Sequence, residues 1–176
     1  MTVDEFLHLP DLGRPAELVR GRIMMMNMPG YRHSVVCGRV SRYLGNFVDE
    51  NGLGTVGTND GGIITGHDPD TVRGADVAFY SFSKMPRDFQ PKGYPTALPE
   101  LVFEVLSPSD EWKEIHAKVG EYLTAGIQTV CVVDPETESV IAYHADKRQT
   151  MFGIDDTLTL DVLPGFSVAV RKLFHA

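Results

Sequence analysis

Two carboxylates stand in apolar stretches of the sequence, where a charge is costly. Glu104 interrupts the apolar run at residues 101–106, and Asp76 lies in a similar setting at residues 74–79. A strand that is apolar on both faces is normally central in a sheet, so a carboxylate there needs a hydrogen bond, a counter-charge or a metal ion. If the two strands are neighbours, the carboxylates repel each other and a divalent cation removes that conflict. The pattern therefore predicts a Mg²⁺ or Mn²⁺ site at Asp76 and Glu104.

Lys118 is the third residue of this candidate catalytic site. It lies on the helix predicted directly after the Glu104 strand, at the border of the apolar stripe and four residues before Tyr122. From such a border an ammonium can reach over the end of the sheet, hold an attacking water and offset charge in a transition state. The alternative is a buried salt bridge between Glu104 and Lys118 that has no chemical role.

The elements that must position these residues follow from periodicity. Thr2 and Glu5 form a capping-box pattern for a short first helix. Helical spacing predicts a long helix over residues 33–50 and another over residues 107–125, with Ser107 and Ser109 capping the latter. Alternating or continuous apolar runs predict strands at residues 17–19, 22–26, 55–58, 61–65, 75–80, 101–106, 129–133, 140–143, 150–152 and 158–160. This order predicts an α/β (α+β) fold, with a mixed central sheet flanked by helices and antiparallel strands added at the edge.

The length of 176 residues suits one domain spanning residues 1–176. No apolar run reaches the roughly 18 residues of a membrane span, and the acidic N-terminal segment does not resemble a secretory signal. We therefore expect a cytoplasmic protein that makes no contact with a membrane. Cys37 and Cys131 lie in apolar stretches and are expected to be small buried hydrophobic residues rather than a disulfide or metal pair. The methionines at residues 24–26 are expected to fill the core.

The net charge of −8 argues against a protein that holds DNA by bulk electrostatics. The charge is unevenly distributed. Residues 1–50 carry six arginines and six acids, whereas residues 51–176 carry the whole excess of negative charge. If nucleic acid binds, it is expected to favour the surface made by the front arginines, although a normal solvated face is equally compatible with them. Those arginines are Arg14, Arg20, Arg22, Arg32, Arg39 and Arg42.

Seven segments together resemble the Uma family of restriction-endonuclease-like proteins, which belongs to the PD-(D/E)xK nuclease superfamily. The resemblance covers roughly residues 2–170, and its most specific part is the stretch EVLSPS with a downstream lysine and VDP. The matching segments are residues 17–21, 32–34, 74–78, 99–109, 118–122, 125–126 and 132–135.

The resemblance implies a restriction-endonuclease-like core that cuts DNA with Mg²⁺ or Mn²⁺. Asp76 stands in the first-aspartate position, with Ala75 in place of the usual proline, and Glu104 stands in the second-acid position. The superfamily lysine normally follows that acid by two residues, where this chain has Leu106. Here it corresponds to Lys118 on the following helix.

Two further positions are carried over by the resemblance. Glu17 matches an acidic position that assists the metal, and His33 matches a histidine at the start of the long helix. Tyr122 lies beside Lys118 and is a possible accessory residue. For Glu17 and His33, a surface charge and a structural helix residue are the respective alternatives.

Three functions stay open at this point. The first is a metal-dependent endonuclease acting on DNA. The second is a non-catalytic module on the same scaffold that binds nucleic acid or another protein, since a fold does not determine a function. The third is another metal-assisted hydrolase acting on a smaller phosphate ester. A homodimer is also expected, because the late strands leave an apolar sheet edge that needs cover and because restriction-type nucleases often pair to cut two strands.

Overall fold

The computed structural model describes residues 1–175. Its helices are α1 (Val3–Leu7), α2 (Tyr31–Glu50), α3 (Trp112–Ala125) and α4 (Arg171–Phe174). Its strands are β1 (Ala16–Val19), β2 (Arg22–Met25), β3 (Gly54–Gly66), β4 (Thr71–Ser81), β5 (Leu101–Val105), β6 (Thr129–Asp134), β7 (Ser139–His144), β8 (Gln149–Phe152), β9 (Thr157–Thr159) and β10 (Ser167–Ala169). No helix among these residues is both long and apolar enough to cross a membrane.

Eight strands form one mixed sheet, which confirms the predicted fold class. The strand order is β2-β1-β4-β5-β6-β7-β8, and β3 also pairs with β4. Strands β5 and β6 are parallel and α3 connects them, whereas the other pairs are antiparallel. A parallel pair needs such a crossover, and here the crossover is the helix that carries Lys118.

The two longer helices cover opposite faces of the sheet. The apolar stripe of α2 packs against Leu101, Phe103 and Val105 of β5, whereas α3 packs against the alternate residue Val102. Because side chains alternate along a strand, Glu104 lies on the α3 face, together with Val102.

Strand β4 is the element on which the site is built. Strand β3 pairs along nearly its whole length. On the remaining edge, β1 pairs only at Val72 and β5 only from Val77 to Phe79. Between these contacts the backbone of β4 has no strand partner on that edge, so its polar groups must find side-chain partners.

Strand β3 differs from the sequence prediction, which divided it into two short strands. It is continuous, but its register with β4 shifts between Thr58 and Gly61. Asn59 and Asp60 at this bulge have φ values of 64° and 56°, a left-handed conformation that Asn and Asp tolerate better than most residues. The bulge brings Asp60 over Gly74, where an added Cβ would meet the Asp60 Cβ at 3.0 Å.

The predicted start of α3 is wrong. The helix begins at Trp112, and Ser107 and Ser109 do not cap it. Instead, Asp110 accepts a hydrogen bond of 2.7 Å from the backbone N–H of Ser107, which closes a turn before the helix. The competing local turn explains why the helix starts later, because Asp side chains readily satisfy nearby backbone groups.

The last predicted edge strand does not join the main sheet. Strand β9 pairs with β10 in a separate two-stranded sheet. The expectation of an apolar sheet edge rested in part on Val140, Leu158 and Leu160. These three residues are buried within the chain's own core. The homodimer stays a prediction, but these residues no longer supply a reason for it.

The methionines at residues 24–26 are not core residues, contrary to the prediction. Met24, Met25 and Met26 are 51%, 36% and 37% exposed, and Met28 is 85% exposed. They belong to β2 and the segment after it. Strand β2 lies at the end of the sheet order, so one of its edges has no neighbouring strand among the described residues.

Candidate active site

One cleft of about 410 Å³ brings together the predicted site residues. The residues that line it include Glu17, His33, Asp76, Glu104 and Lys118, which come from five different elements spread over about one hundred residues of sequence. Tyr122 lies behind the cleft wall and is fully buried. The exposed methionines form the opposite part of the lining.

The ammonium of Lys118 is at the centre of the hydrogen-bond network. It donates to Oε2 of Glu104 at 2.9 Å and to the carbonyl of Gly74 at 2.8 Å, and it forms an ion pair with Oε1 of Glu17 at 3.1 Å. Two of its three protons thus have hydrogen-bond acceptors, and its charge also contacts Glu17. Burial by itself would lower the pKa of Lys118, but the charges of Glu104 and Glu17 raise it above the ordinary value. Lys118 is therefore a fixed cation rather than a proton acceptor.

Glu104 is held from two sides. The Tyr122 hydroxyl donates to Oε1 at 2.7 Å, while Lys118 donates to Oε2. Burial, together with the negative charge of Asp76, raises the pKa of Glu104 to about 7, even though Lys118 and Tyr122 favour the carboxylate. The neighbouring carboxylates are thus in the electrostatic conflict that the sequence pattern predicted.

Glu17 is buried at the unpaired edge of β4. Its Oε1 accepts from the backbone N–H of Gly74 at 2.9 Å, and its Oε2 accepts from Nη1 of Arg73 at 2.8 Å. Arg73 also donates from Nε to Glu121 of α3 at 2.7 Å. Burial opposes ionisation of Glu17, but Lys118 and Arg73 lower its pKa. Both oxygens therefore have protein partners, and Glu17 connects β1, β4 and α3.

Asp76 lies where β4 and β5 diverge. Its Oδ2 accepts a 2.6 Å hydrogen bond from the backbone N–H of Val105, at the end of β5. Its Oδ1 lies 3.3 Å from Nε2 of His33 on α2. Burial acts to lower the pKa of His33, but the hydrogen bond and charge of Asp76 raise it. His33 thus contacts Asp76 in the cleft from the start of α2, and its accessory role stays a prediction.

The sequence prediction missed three residues of this site. Arg73 completes the network around Glu17, and Cys37 lies with its sulfur 3.5 Å from Nδ1 of His33. Asp60 approaches from the bulge, and partial burial and the charge of Asp76 raise its pKa. The spacing of His33 and Cys37, four residues apart on a helix, was a usable signal. No local pattern marks Asp60, because strand register decides where a bulge falls.

The fold is that of a solved nuclease-like structure. The chain is similar to the crystal structure described as "a putative nuclease belonging to DUF820 from Anabaena variabilis ATCC 29413". The TM-score is 0.83 at 21% sequence identity, and the match covers 99% of this chain and 97% of the other. No curated protein matches the chain in sequence.

The family follows from the sequence. Residues 3–171 match the model of the Uma2 family, described as "Putative restriction endonuclease". The chain belongs to this family, which confirms the resemblance seen in its motifs.

Proposed function

We propose that the protein is a metal-dependent endonuclease that hydrolyses phosphodiester bonds of DNA. The observation that carries the proposal is the convergence of Asp76, Glu104 and Lys118 on one cleft. Carboxylates are suited to binding a divalent cation, and a fixed ammonium is suited to stabilising a phosphoryl transition state. The cleft contains both kinds of group. The family and the fold support a nuclease, and the choice of DNA as substrate is part of the proposal.

The donor set of the cleft fits Mg²⁺ or Mn²⁺. Hard cations prefer carboxylate and carbonyl oxygens, and Asp76 and Glu104 supply two carboxylates on neighbouring strands. Burial is the main cause of the raised pKa of Glu104 and the charge of Asp76 adds to it, so a divalent cation would stabilise both carboxylates. When bound, the ion polarises the phosphate and lowers the charge at the reacting centre.

The chain's own residues then supply position and charge. Lys118 is held by Glu104, Glu17 and the Gly74 carbonyl, so its ammonium is fixed in the cleft wall without reorganisation. Negative charge that develops on phosphoryl oxygens during hydrolysis is stabilised by such a preorganised cation. Tyr122 fixes Glu104 from behind, and His33 fixes the free side of Asp76.

For Glu17 we propose a positioning role through Lys118. The resemblance predicts that this acid assists the metal, and that stays a prediction. In the observed geometry its oxygens accept from Arg73 and Gly74 and pair with Lys118. A carboxylate has about four acceptor positions, so these partners occupy most of them.

The cleft offers little free positive charge for DNA. Along the described residues 1–175, the Lys and Arg residues that line it are Arg73 and Lys118, and both are in ion pairs. The six front arginines do not line it, so the surface they make as a DNA contact stays a prediction. Binding to DNA therefore depends on the metal ion more than on bulk electrostatics. The cytoplasmic location and the homodimer also stay predictions.

One observation favours the alternative of a non-catalytic binding module. The Lys118 ammonium already donates to Glu104 and Gly74 and pairs with Glu17, which is also what a purely structural buried ion pair requires. In that case the cleft would bind nucleic acid or a protein segment without cutting it. Cleavage measurements separate the two functions directly.

The test is a cleavage assay with Mn²⁺ on single-stranded, duplex and branched DNA. Asp76→Asn and Glu104→Gln keep side-chain size, and each is expected to abolish cleavage. Asp161→Asn is the control, because Asp161 is 75% exposed and pairs only with Arg148 at the surface. Cleavage that persists at an equal rate in both site variants would remove this site from the proposal, and binding without cleavage by the wild type would support the alternative.

A further inference from the structure

Three side chains of different chemistry meet at the α2 side of the cleft. His33 and Cys37 are four residues apart on α2 and therefore project from the same face of the helix. Asp76 reaches them from β4. One ligand atom from each residue lies within 4.8 Å of the other two. All three residues are partly buried, so their side chains are accessible to water but not fully exposed.

Two of the three ligand-to-ligand distances are close to the edges of a tetrahedral metal site. His33 Nε2 lies 3.3 Å from Asp76 Oδ1 and 3.8 Å from Cys37 Sγ, and the same sulfur lies 3.5 Å from Nδ1 of His33. Zinc bonds of about 2.0–2.1 Å to nitrogen and oxygen and about 2.3 Å to sulfur place tetrahedral nitrogen and oxygen ligands roughly 3.3 Å apart, and nitrogen and sulfur ligands roughly 3.5 Å apart. Because the sulfur lies nearer to Nδ1, binding an ion through Nε2 requires a rotation of the Cys37 side chain or of the imidazole ring.

The donor set selects a softer ion than the carboxylate pair does. A thiolate and an imidazole favour Zn²⁺ and similar transition ions, whereas Mg²⁺ prefers oxygen ligands alone. His33 and Asp76 also line the cleft, so a fourth position on such an ion faces the cleft and is open to water. Three protein ligands and one open position are the arrangement of catalytic rather than structural zinc sites.

We propose that His33, Cys37 and Asp76 form a binding site for Zn²⁺ that shares Asp76 with the Mg²⁺ or Mn²⁺ site. On binding, the Cys37 thiol releases its proton to solvent and coordinates as the thiolate. Because Asp76 belongs to both sites, Zn²⁺ withdraws it from the pair with Glu104 and inhibits cleavage. The inhibition rests on the proposed nuclease function, whereas the binding does not.

Co²⁺ titration tests the binding, because a thiolate–cobalt bond gives a near-ultraviolet charge-transfer band. The wild-type protein is expected to develop this band with one equivalent of Co²⁺ and to lose it when Zn²⁺ is added. Cys37→Ser is expected to lack the band and to bind Zn²⁺ more than about 10-fold more weakly. Cys131→Ala is the matched control, since Cys131 is fully buried in the core, and it is expected to keep the band. Absence of the band in the wild type, or its persistence in Cys37→Ser, would overturn the site.

Inhibition is tested separately in the Mn²⁺-dependent cleavage assay. Zn²⁺ is expected to inhibit the wild type. Cys37→Ser, compared with its own Mn²⁺-dependent rate in the absence of Zn²⁺, is expected to be much less sensitive to Zn²⁺. Equal sensitivity of the two proteins would overturn the competition for Asp76. If no protein cuts DNA, the proposed function fails, and the Co²⁺ titration still decides whether the site exists.

Discussion

Nζ of Lys118 lies 2.9 Å from Oε2 of Glu104, and the two residues are joined by one continuous strand-to-helix segment. Glu104 is on β5 and Lys118 is on the helix that follows, so the carboxylate and the ammonium of the site come from one crossover unit. The same ammonium also forms an ion pair with Glu17, which lies near the N-terminus of the sequence. The pair therefore stabilises the fold and forms the centre of the candidate site.

Lys118→Met separates these two roles. Without metal, removal of the ammonium leaves Glu104 and Glu17 unpaired, and we expect a loss of roughly 3–5 kcal/mol in the free energy of unfolding. Saturating Mn²⁺ should recover part of this loss, because the ion offsets the charge of Glu104. Cleavage should fall by about 10²-fold or more, as for loss of other transition-state donors.

Urea midpoints with and without Mn²⁺, together with cleavage rates, measure both effects. Lys113→Met is the control, because Lys113 lies on the same helix but is exposed. A folded Lys118→Met that cuts at the wild-type rate would exclude a catalytic role for the lysine.

Metal binding should stabilise the folded protein by mass action. At 100 times the dissociation constant the gain is about 2.7 kcal/mol, measured as a rise in melting temperature with Mn²⁺ or Mg²⁺. The shift should vanish in the double variant Asp76→Asn, Glu104→Gln, whose side chains keep their size but not their charge. An equal shift in wild type and double variant would place the metal elsewhere.

The pH dependence of stability should carry the signature of Glu104. Its pKa is raised in the folded state from 4.5 to about 7, so between these values the folded protein holds more protons than the unfolded chain. Stability from this group is therefore present at low pH and is lost as the pH rises through 7, by at most roughly 3 kcal/mol.

Unfolding free energies of wild type and Glu104→Gln, compared in metal-free buffer from pH 5 to pH 8, isolate this contribution. The wild type should lose stability relative to the variant as the pH rises. Parallel curves for the two proteins would show that Glu104 titrates near its ordinary pKa.

Glu17→Gln distinguishes a positioning residue from a metal ligand. The amide keeps an acceptor for the Gly74 N–H but loses the charge that holds Lys118 and Arg73. We expect unchanged Mn²⁺ affinity and a cleavage rate lowered by about 10-fold, as for loss of an outer contact that orients an active-site group. Glu121→Gln, which changes the other partner of Arg73, is the control. A 10-fold fall in Mn²⁺ affinity would instead support direct contact between Glu17 and the metal.

Much of the site could be predicted from the sequence, because burial makes a lone charge conspicuous. Glu104 in an apolar strand must have a polar or charged partner. The helix that follows is short, so it offers only a few candidate partners. The positions of Asp76 and Glu104 on adjacent strands, and of Lys118 beside them, are confirmed by the structure. Their catalytic roles stay predictions.

The sequence by itself determined the order of the elements from α1 to β9 apart from the division of β3, the mixed sheet, and the residues that could not tolerate burial without a partner, whereas β10 and α4 were not predicted. Tertiary structure decided what those partners are. Strands β1 and β5 pair with separate parts of one edge of β4, and the backbone between those parts has no strand partner. The Gly74 backbone lies in this unpaired part and can therefore contact Glu17 and Lys118. Likewise, the register shift in β3 places Asp60, and the packing of α2 on the sheet places Cys37 beside Asp76. These relationships depend on contacts between distant segments, and local periodicity carries no information about strand register or about which edges remain unpaired.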